Sequence, residues 1–283
     1  MILDNIYVIN LDKSKDRLEI VTNNFHQHNL SFKRFNAVNG KEMTKSQINE
    51  NATFWCKNFA CNYGMIGCAL SHITLWNQLI NDSTTDKYIV LEDDIIIDDN
   101  FAKIILQLNE KINEYKIDYI NLSCFGIGCK LIESKFTIDD YEFGLSPLPL
   151  TTSAYIITKL GANKLLQSNI HPVNYHIDVS IAMRDINRYT IYPNLVKTQF
   201  DLDTTLNNRH CSFILKILEY IGLSKLVWAL NSPFLVIKMK FVINGYFLIL
   251  IALFIINLLF INNDILSFII IIELFLYICN NIN

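Results

Sequence analysis

The chain has 283 residues, a net charge of −3 and seven cysteines. This length accommodates one catalytic domain of ordinary size and leaves a further segment over. Charged residues make up only 18% of the chain and the mean hydropathy is +0.25, which excludes an evenly polar sequence. The apolar excess must therefore be concentrated in one part of the chain. We expect no nucleic-acid partner.

Short apolar runs alternate with helical patterns through the first two hundred residues. Strands are predicted at 6–11, 32–36, 88–92 and 118–122, with a further strand around Tyr155. Helices are predicted at about 14–28, 44–50, 65–80 and 101–108, and an Asn39-Gly40 turn follows the second strand. Alternation of this kind favours an α/β fold with a mainly parallel sheet covered by helices on both faces.

The strand at 88–92 runs directly into three adjacent carboxylates, Glu92, Asp93 and Asp94. Ligands of open α/β sheets bind just beyond the carboxyl ends of strands. Clustered carboxylates suit a hard divalent cation such as Mn²⁺ or Mg²⁺. Because side chains alternate along an extended chain, we expect Glu92 and Asp94 to share a face and Asp93 to point away. The alternative is a solvated acidic loop, since Asp98 and Asp99 continue the negative run.

Several segments together carry a family resemblance. In chain order they are VINLDKSKDR at 8–17, FKRFNAVNG at 32–40, GMIGCALSH at 64–72, YIVLEDD at 88–94, SAYIITKLGA at 153–162 and HID at 176–178. Over about residues 5–200 they resemble glycosyltransferase family 25, the lipooligosaccharide galactosyltransferases and their collagen-modifying relatives. The resemblance implies a GT-A-like nucleotide-sugar-binding fold, which we expect to occupy residues 1–208.

The resemblance also implies an inverting enzyme. We expect it to transfer a hexose, galactose from UDP-galactose, to a growing lipooligosaccharide or to another lipid-linked or LPS-core glycan. Alternatives are transfer of glucose, action on a capsular or protein-linked glycan, and a non-catalytic assembly partner. The intact acidic triplet argues against the last of these.

Roles for individual residues follow from the same resemblance. We expect a divalent cation, Mn²⁺ or Mg²⁺, held by Asp94 and Glu92 with His176 as a third ligand. Asp178 is expected to be the general base, although it could instead cap the helix that follows it. The residues expected to contact the donor or its nucleotide are Asn10, Arg17, Ala37, Asn39, His72, Glu92 and Asp93. For His72, a hydrogen-bonded structural role is an equal alternative.

The apolar excess lies in the tail. Residues 209–240 combine basic and apolar residues at helical spacing, which favours an anionic membrane surface or a helix packed on the catalytic domain. Residues 241–283 contain the apolar run Phe241 to Ile261, long enough to cross a membrane, and a shorter run that carries Glu273. We therefore expect contact with inner-membrane lipids and a location at the cytoplasmic face of the inner membrane, tail-associated or spanning. A transporter is disfavoured, because at most two spans are available.

The cysteines are expected to be free. No secretory signal precedes the first strand, so a reducing compartment is expected. The odd cysteine count argues against a complete disulfide framework, and two Cys-x₄-Cys pairs are too loosely spaced for zinc without paired histidines. We interpret the cysteines as small buried residues or free thiols.

Overall fold

A computed structural model describes residues 2–124, 129–199, 212–223, 226–227, 230, 233–237 and 241–282. Its strands are β1 (Ile6–Asn10), β2 (Lys33–Asn36), β3 (Lys87–Glu92), β4 (Ile95–Ile97), β5 (Tyr119–Asn121), β6 (Glu133–Ile138), β7 (Tyr141–Leu145), β8 (Ala154–Thr158), β9 (Arg188–Tyr192), β10 (Val196–Thr198), β11 (Pro233–Ile237) and β12 (Phe241–Asn244). Its helices are α1 (Lys15–Gln27), α2 (Lys45–Asn51), α3 (Tyr63–Asn81), α4 (Phe101–Glu114), α5 (Lys159–Gln167), α6 (Ile177–Ala182), α7 (Phe213–Tyr220), α8 (Gly245–Ile256) and α9 (Asp264–Ile282).

An eight-stranded sheet in the order β2-β1-β3-β8-β5-β9-β7-β6 forms the centre of the fold. Only β7 and β8 run opposite to the other strands of this sheet. The expected α/β class with a largely parallel sheet is therefore confirmed. The antiparallel direction of β8 was not predicted, because the apolar sequence pattern of a buried strand does not indicate its direction in the sheet.

Both faces of the sheet are covered, as the alternation of strands and helices predicted. Along β1, Ile6 and Val8 enter an apolar cluster with α1 and α4, whereas Tyr7 and Ile9 enter a second cluster with α3 and α5. Successive side chains of a strand point to opposite faces, so a strand that is apolar throughout must be covered twice. The double cover buries β1 completely and leaves only its carboxyl end for polar groups.

Two glycines bring helix α3 against the loop after β2. A Cβ atom on Gly67 would lie 2.4 Å from the carbonyl oxygen of Val38, and one on Gly40 would lie 1.7 Å from the carbonyl oxygen of Tyr63. The hydroxyl of Ser71 accepts a hydrogen bond from the Val38 amide at 2.8 Å. Only glycine permits such close backbone contact, so these two motifs are joined in space. Their contact forms one wall of the site described below.

The tail does not form one long helix. The run that begins at Phe241 starts as the strand β12, paired with β11, and becomes helical only at Gly245. Helices α8 and α9 pack against each other through a third apolar cluster, which includes Tyr246, Leu250 and Tyr277. Arg209, Lys225, Lys238 and Lys240 of the predicted basic segment lie outside the described residues.

Glu273, the carboxylate within the second apolar run, is buried and fully partnered. Its Oε1 accepts hydrogen bonds from the amides of Phe213 and Ile214, at 2.9 and 3.2 Å, and its Oε2 accepts one from the Tyr246 hydroxyl at 2.8 Å. A carboxylate there satisfies the free amides at the start of α7. Within the parts of the chain that the structure describes, no helix combines the length and apolar character needed to cross a membrane.

The expectation that the cysteines are free thiols is wrong for four of them. Disulfides join Cys56 to Cys61 and Cys124 to Cys129, with Cα–Cα distances of 4.8 and 5.6 Å. Each pair is separated by five positions in the sequence, and these Cα–Cα distances lie within the range that a disulfide can bridge. Spacing along the chain alone could not show this. Disulfides persist in oxidising surroundings, which does not fit the predicted reducing compartment.

Candidate active site

One pocket lies at the carboxyl ends of β1 and β3. The sequence segments that carry the family resemblance in the first hundred residues all contribute to it. Its lining comprises Ile9, Leu11, Lys13, Arg17, Ala37, Val38, Asn39, Gly40, Lys41, Gly64, Cys68, Ser71, His72, Glu92, Asp93 and Asp94. Parallel neighbours β1 and β3 end at the same edge of the sheet, which is where α/β proteins bind ligands. The structure therefore brings together six of the seven residues predicted to contact the donor, and Asp94 with them.

Asn10, the seventh, does not line the pocket but is hydrogen-bonded to Asp93, which does. Its amide nitrogen donates to Asp93 Oδ2 at 2.7 Å, and its side-chain oxygen accepts from Arg34 Nε at 2.9 Å. Arg17 donates to the other oxygen of Asp93, also at 2.7 Å. Burial raises the pKa of Asp93, although the charge of Arg17 opposes this. Asp93 is thus held by β1 and α1, on both of its oxygens.

Glu92 faces helix α3. Its Oε1 accepts from the Thr152 hydroxyl at 2.8 Å and lies 3.4 Å from His72 Nε2. Burial disfavours the charged carboxylate, but the adjacent imidazole of His72 and the hydroxyl of Thr152 outweigh it and lower the pKa of Glu92. Glu92 therefore carries its negative charge at neutral pH. His72 is itself fully buried, and its Nδ1 is hydrogen-bonded to the Tyr155 hydroxyl at 2.9 Å.

Asp94 is the least satisfied of the three carboxylates. Its Oδ1 is buried without a hydrogen-bond partner, and its Oδ2 lies 4.0 Å from Arg17. Burial, together with the negative charge of Glu92, raises the pKa of Asp94 to about 7. An unpartnered buried carboxylate oxygen costs free energy unless a cation or donor meets it. The oxygens of Asp94 and Glu92 therefore fit a hard divalent cation, which prefers carboxylate ligands.

His176 and Asp178 lie at the start of α6 and are not among the residues that line the pocket. The ring of His176 packs edge-on against Tyr175, with centroids 5.1 Å apart, and the structure does not group it with Glu92 or Asp94. Asp178 Oδ1 accepts from the Val179 amide at 2.7 Å, which is a local contact at the helix start. The roles of both residues stay predictions.

The charge of Asp178 nevertheless reaches the site. Burial raises the pKa of the Cys68 thiol, and the charges of Glu92, Asp178 and Asp94 raise it further. Asp178 is therefore near enough to Cys68, which lines the pocket, for its charge to act there.

Sequence reasoning missed several residues of the site, among them Lys13 and Lys41, which line the pocket, as well as Cys68 and Thr152. Cys68 lies one helical turn before His72 on α3, and that spacing on a predicted helix was the available signal. Thr152, which donates to Glu92, precedes β8 and carries no local signal. Its position follows only from the antiparallel pairing of β3 with β8.

Comparison with known proteins identifies the family. The profile described as "Glycosyltransferase family 25 (LPS biosynthesis protein)" matches residues 3–181. Procollagen galactosyltransferase 2 of Homo sapiens is 26% identical over 211 residues, covering 67% of this chain and 32% of that protein. A glycosyltransferase 25 family member of Drosophila pseudoobscura pseudoobscura is 29% identical over 175 residues, covering 58% of this chain and 27% of that protein. This chain thus spans about a third of the length of the curated relatives that it matches.

These findings correct the predicted location. The expectation of a tail-attached protein at the cytoplasmic face of the inner membrane is wrong, because no described helix can span a membrane and similar proteins are named for procollagen. Membrane lipids as partners likewise find no support. The match over residues 3–181 covers more than half of the chain and contains every residue of the pocket. The chain belongs to glycosyltransferase family 25.

Proposed function

We propose that this protein transfers galactose from UDP-galactose to a hydroxyl group of a glycan acceptor, with inversion at the anomeric carbon. The observation that carries the proposal is the buried, unpartnered oxygen of Asp94 next to the charged Glu92. Both face a pocket that also contains Lys13, Arg17 and Lys41. Cationic side chains beside a pair of cation-binding carboxylates suit a nucleoside diphosphate, which carries negative charge at both phosphates.

The pocket divides the work among its residues. A divalent cation on Asp94 and Glu92 would neutralise the diphosphate leaving group as a Lewis acid. Asp93, fixed by Arg17 and Asn10, offers a rigid acceptor for a hydroxyl of the nucleotide ribose. The loop that includes Ala37 and Asn39 borders the donor, and its position is set by the glycine contacts with α3. These positions support a GT-A-type arrangement of the donor at the edge of the sheet.

The acceptor side is expected at α6. Inversion requires a base that takes the proton of the acceptor hydroxyl while that oxygen attacks the anomeric carbon. We assign this role to Asp178, whose charge is felt at Cys68 on the pocket wall. His72 supports the reaction indirectly, because it lies between the buried Tyr155 hydroxyl and Glu92. His176 as a third cation ligand stays a prediction.

Two acceptor classes have specific support. The family description names LPS biosynthesis, which favours a lipooligosaccharide or LPS-core glycan. Relatives named procollagen galactosyltransferases favour a hydroxyl group on a protein. Both classes present a hydroxyl to the same donor site, so the choice affects the acceptor surface and leaves the donor chemistry unchanged.

The experiment is a donor and acceptor panel. The full-length protein is incubated with UDP-galactose, UDP-glucose and other nucleotide sugars, with manganese or with chelator, and release of nucleotide diphosphate is measured. Each productive donor is then paired with an LPS-core oligosaccharide and with a procollagen peptide. We expect manganese-dependent release from UDP-galactose, abolished in Asp94→Ala and retained in the exposed-site control Asp140→Asn. Absence of turnover with every donor would instead support a non-catalytic assembly role. Full activity in chelator would refute the cation site.

A further inference from the structure

A second group of metal-ligating atoms lies on the wall of the pocket and is not explained by a hard cation. Cys68 and His72 are one turn apart on α3, and Glu92 ends β3 opposite them. The Cys68 sulfur, a His72 ring nitrogen and a Glu92 oxygen all lie within 4.8 Å of one another. Residues at positions i and i+4 of a helix point to the same side, so the helix presents the sulfur and the imidazole together.

The nitrogen of His72 that faces this group is unsatisfied. Its Nε2 is buried without a hydrogen-bond partner and lies 3.4 Å from Glu92 Oε1. The other ring nitrogen is already held by the Tyr155 hydroxyl, which also accepts from Trp76 Nε1 at 3.0 Å. Metal-binding histidines usually have their second nitrogen fixed by such a partner, which sets the orientation of the ring. The imidazole is therefore oriented with a free nitrogen towards Cys68 and Glu92.

We propose that Cys68, His72 and Glu92 form a zinc site whose fourth position opens into the pocket. Sulfur, imidazole and carboxylate ligands are those of zinc, whereas manganese and magnesium prefer oxygen alone. Zinc bonds of about 2.0–2.3 Å in a tetrahedron place neighbouring ligand atoms roughly 3.3–3.8 Å apart. The contact of His72 with Glu92 is already within this range, and the sulfur needs to move by no more than about 1–1.5 Å. Binding releases the thiol proton of Cys68.

The zinc site shares Glu92 with the cation site on Asp94. A carboxylate drawn towards the sulfur and the imidazole is no longer placed beside Asp94, so the two cations compete for it. Zinc therefore inhibits transfer from the donor. This consequence rests on the proposed function, whereas the binding of zinc does not.

Binding is tested first, on the full-length protein without donor. Cobalt(II) is used as a spectroscopic substitute for zinc, because a cobalt–thiolate bond gives a charge-transfer band in the near ultraviolet. We expect this band in the wild type and in Cys279→Ser, which removes an exposed free cysteine. We expect its loss in Cys68→Ser, together with zinc affinity weakened by more than about 100-fold, since even loss of a supporting residue costs about 10–100-fold. A band that persists in Cys68→Ser, or its absence from the wild type, overturns the proposal.

A second measurement separates a misfolded variant from a lost ligand. Zinc should raise the thermal unfolding temperature of the wild type and of Cys279→Ser, because ligand binding stabilises the folded state. Cys68→Ser and Glu92→Gln should unfold cooperatively without responding to zinc. An equal zinc response in Cys68→Ser overturns the site.

Inhibition is tested by measuring transfer rates in the presence of manganese, with and without micromolar zinc. The ratio of the two rates is compared between the wild type and Cys68→Ser. Equal ratios would refute the competition of the two cations for Glu92, even if the wild type binds zinc. A protein that binds zinc but transfers no sugar would refute the proposed function alone.

Discussion

Replacing Asp94 with asparagine should stabilise the protein at neutral and alkaline pH when no divalent cation is present. Burial and the nearby Glu92 raise the pKa of Asp94 from 3.8 to about 7. Between these values the folded state keeps a proton that the unfolded chain has lost, so the wild type loses stability as the pH rises from about 4 to about 7. A difference of roughly three pH units corresponds to about 4 kcal/mol. Asparagine keeps the size of the side chain and removes this penalty.

The assay is urea unfolding in chelator at several pH values. We expect Asp94→Asn and wild type to have similar free energies of unfolding at pH 4, and the variant to be more stable by up to about 4 kcal/mol at pH 8. Asp140→Asn, at an exposed position, should follow the wild type throughout. Manganese at about 100 times its dissociation constant should return about 2.7 kcal/mol to the wild type alone. If Asp94→Asn is no more stable than the wild type at pH 8, the carboxylate is not a buried charge that waits for a cation.

Three further outcomes are expected. Gly67→Ala should lower the free energy of unfolding by about 2 kcal/mol in urea, because an overpacking cost of up to about 3 kcal/mol exceeds the helix-propensity gain of about 1 kcal/mol. Gly245→Ala, where the added Cβ would have only ordinary contacts, should not lower it. Equal stability of the two variants would contradict the close backbone contact at Gly67. Asp178→Asn should lower kcat by ~10²–10⁴-fold with an unchanged KM for the donor, as expected for loss of a general base, and a folded variant with wild-type kcat would leave Asp178 as a helix cap. Replacing both Cys56 and Cys61 with serine should cost about 2 kcal/mol in urea unfolding, the loop-entropy value for a short loop, and a reductant, which opens this disulfide in the wild type, should remove the difference between the two proteins.

The order and nature of most elements around the pocket were predictable from the sequence. Short apolar runs rich in β-branched residues, such as the one in β1, indicate strands covered on both faces, and an acidic triplet directly after such a strand lies at its carboxyl end. The Asn39-Gly40 segment and the glycine-rich start of α3 were recognised as motifs of the same family. Their periodicity and composition are local properties, which is why the sequence was sufficient for them.

The partners of the polar residues were not predictable in the same way. Alternation along the strand indicated that the side chains of Glu92 and Asp94 point to one face and that of Asp93 to the other. The ion pair of Asp93 with Arg17, however, depends on how α1 packs beside β3. The carboxylate in the tail was interpreted from its apolar neighbours, whereas Glu273 serves the first amides of α7, 60 and 59 residues away.

The sequence by itself determined the family, the α/β class and the position of the acidic residues at the end of β3. Only the tertiary structure decided that Cys68 and His72 face Glu92 and that Thr152 holds it. The reason is physical. Secondary structure follows from interactions within a few residues, whereas the environment of a buried charge depends on which distant segments enclose it.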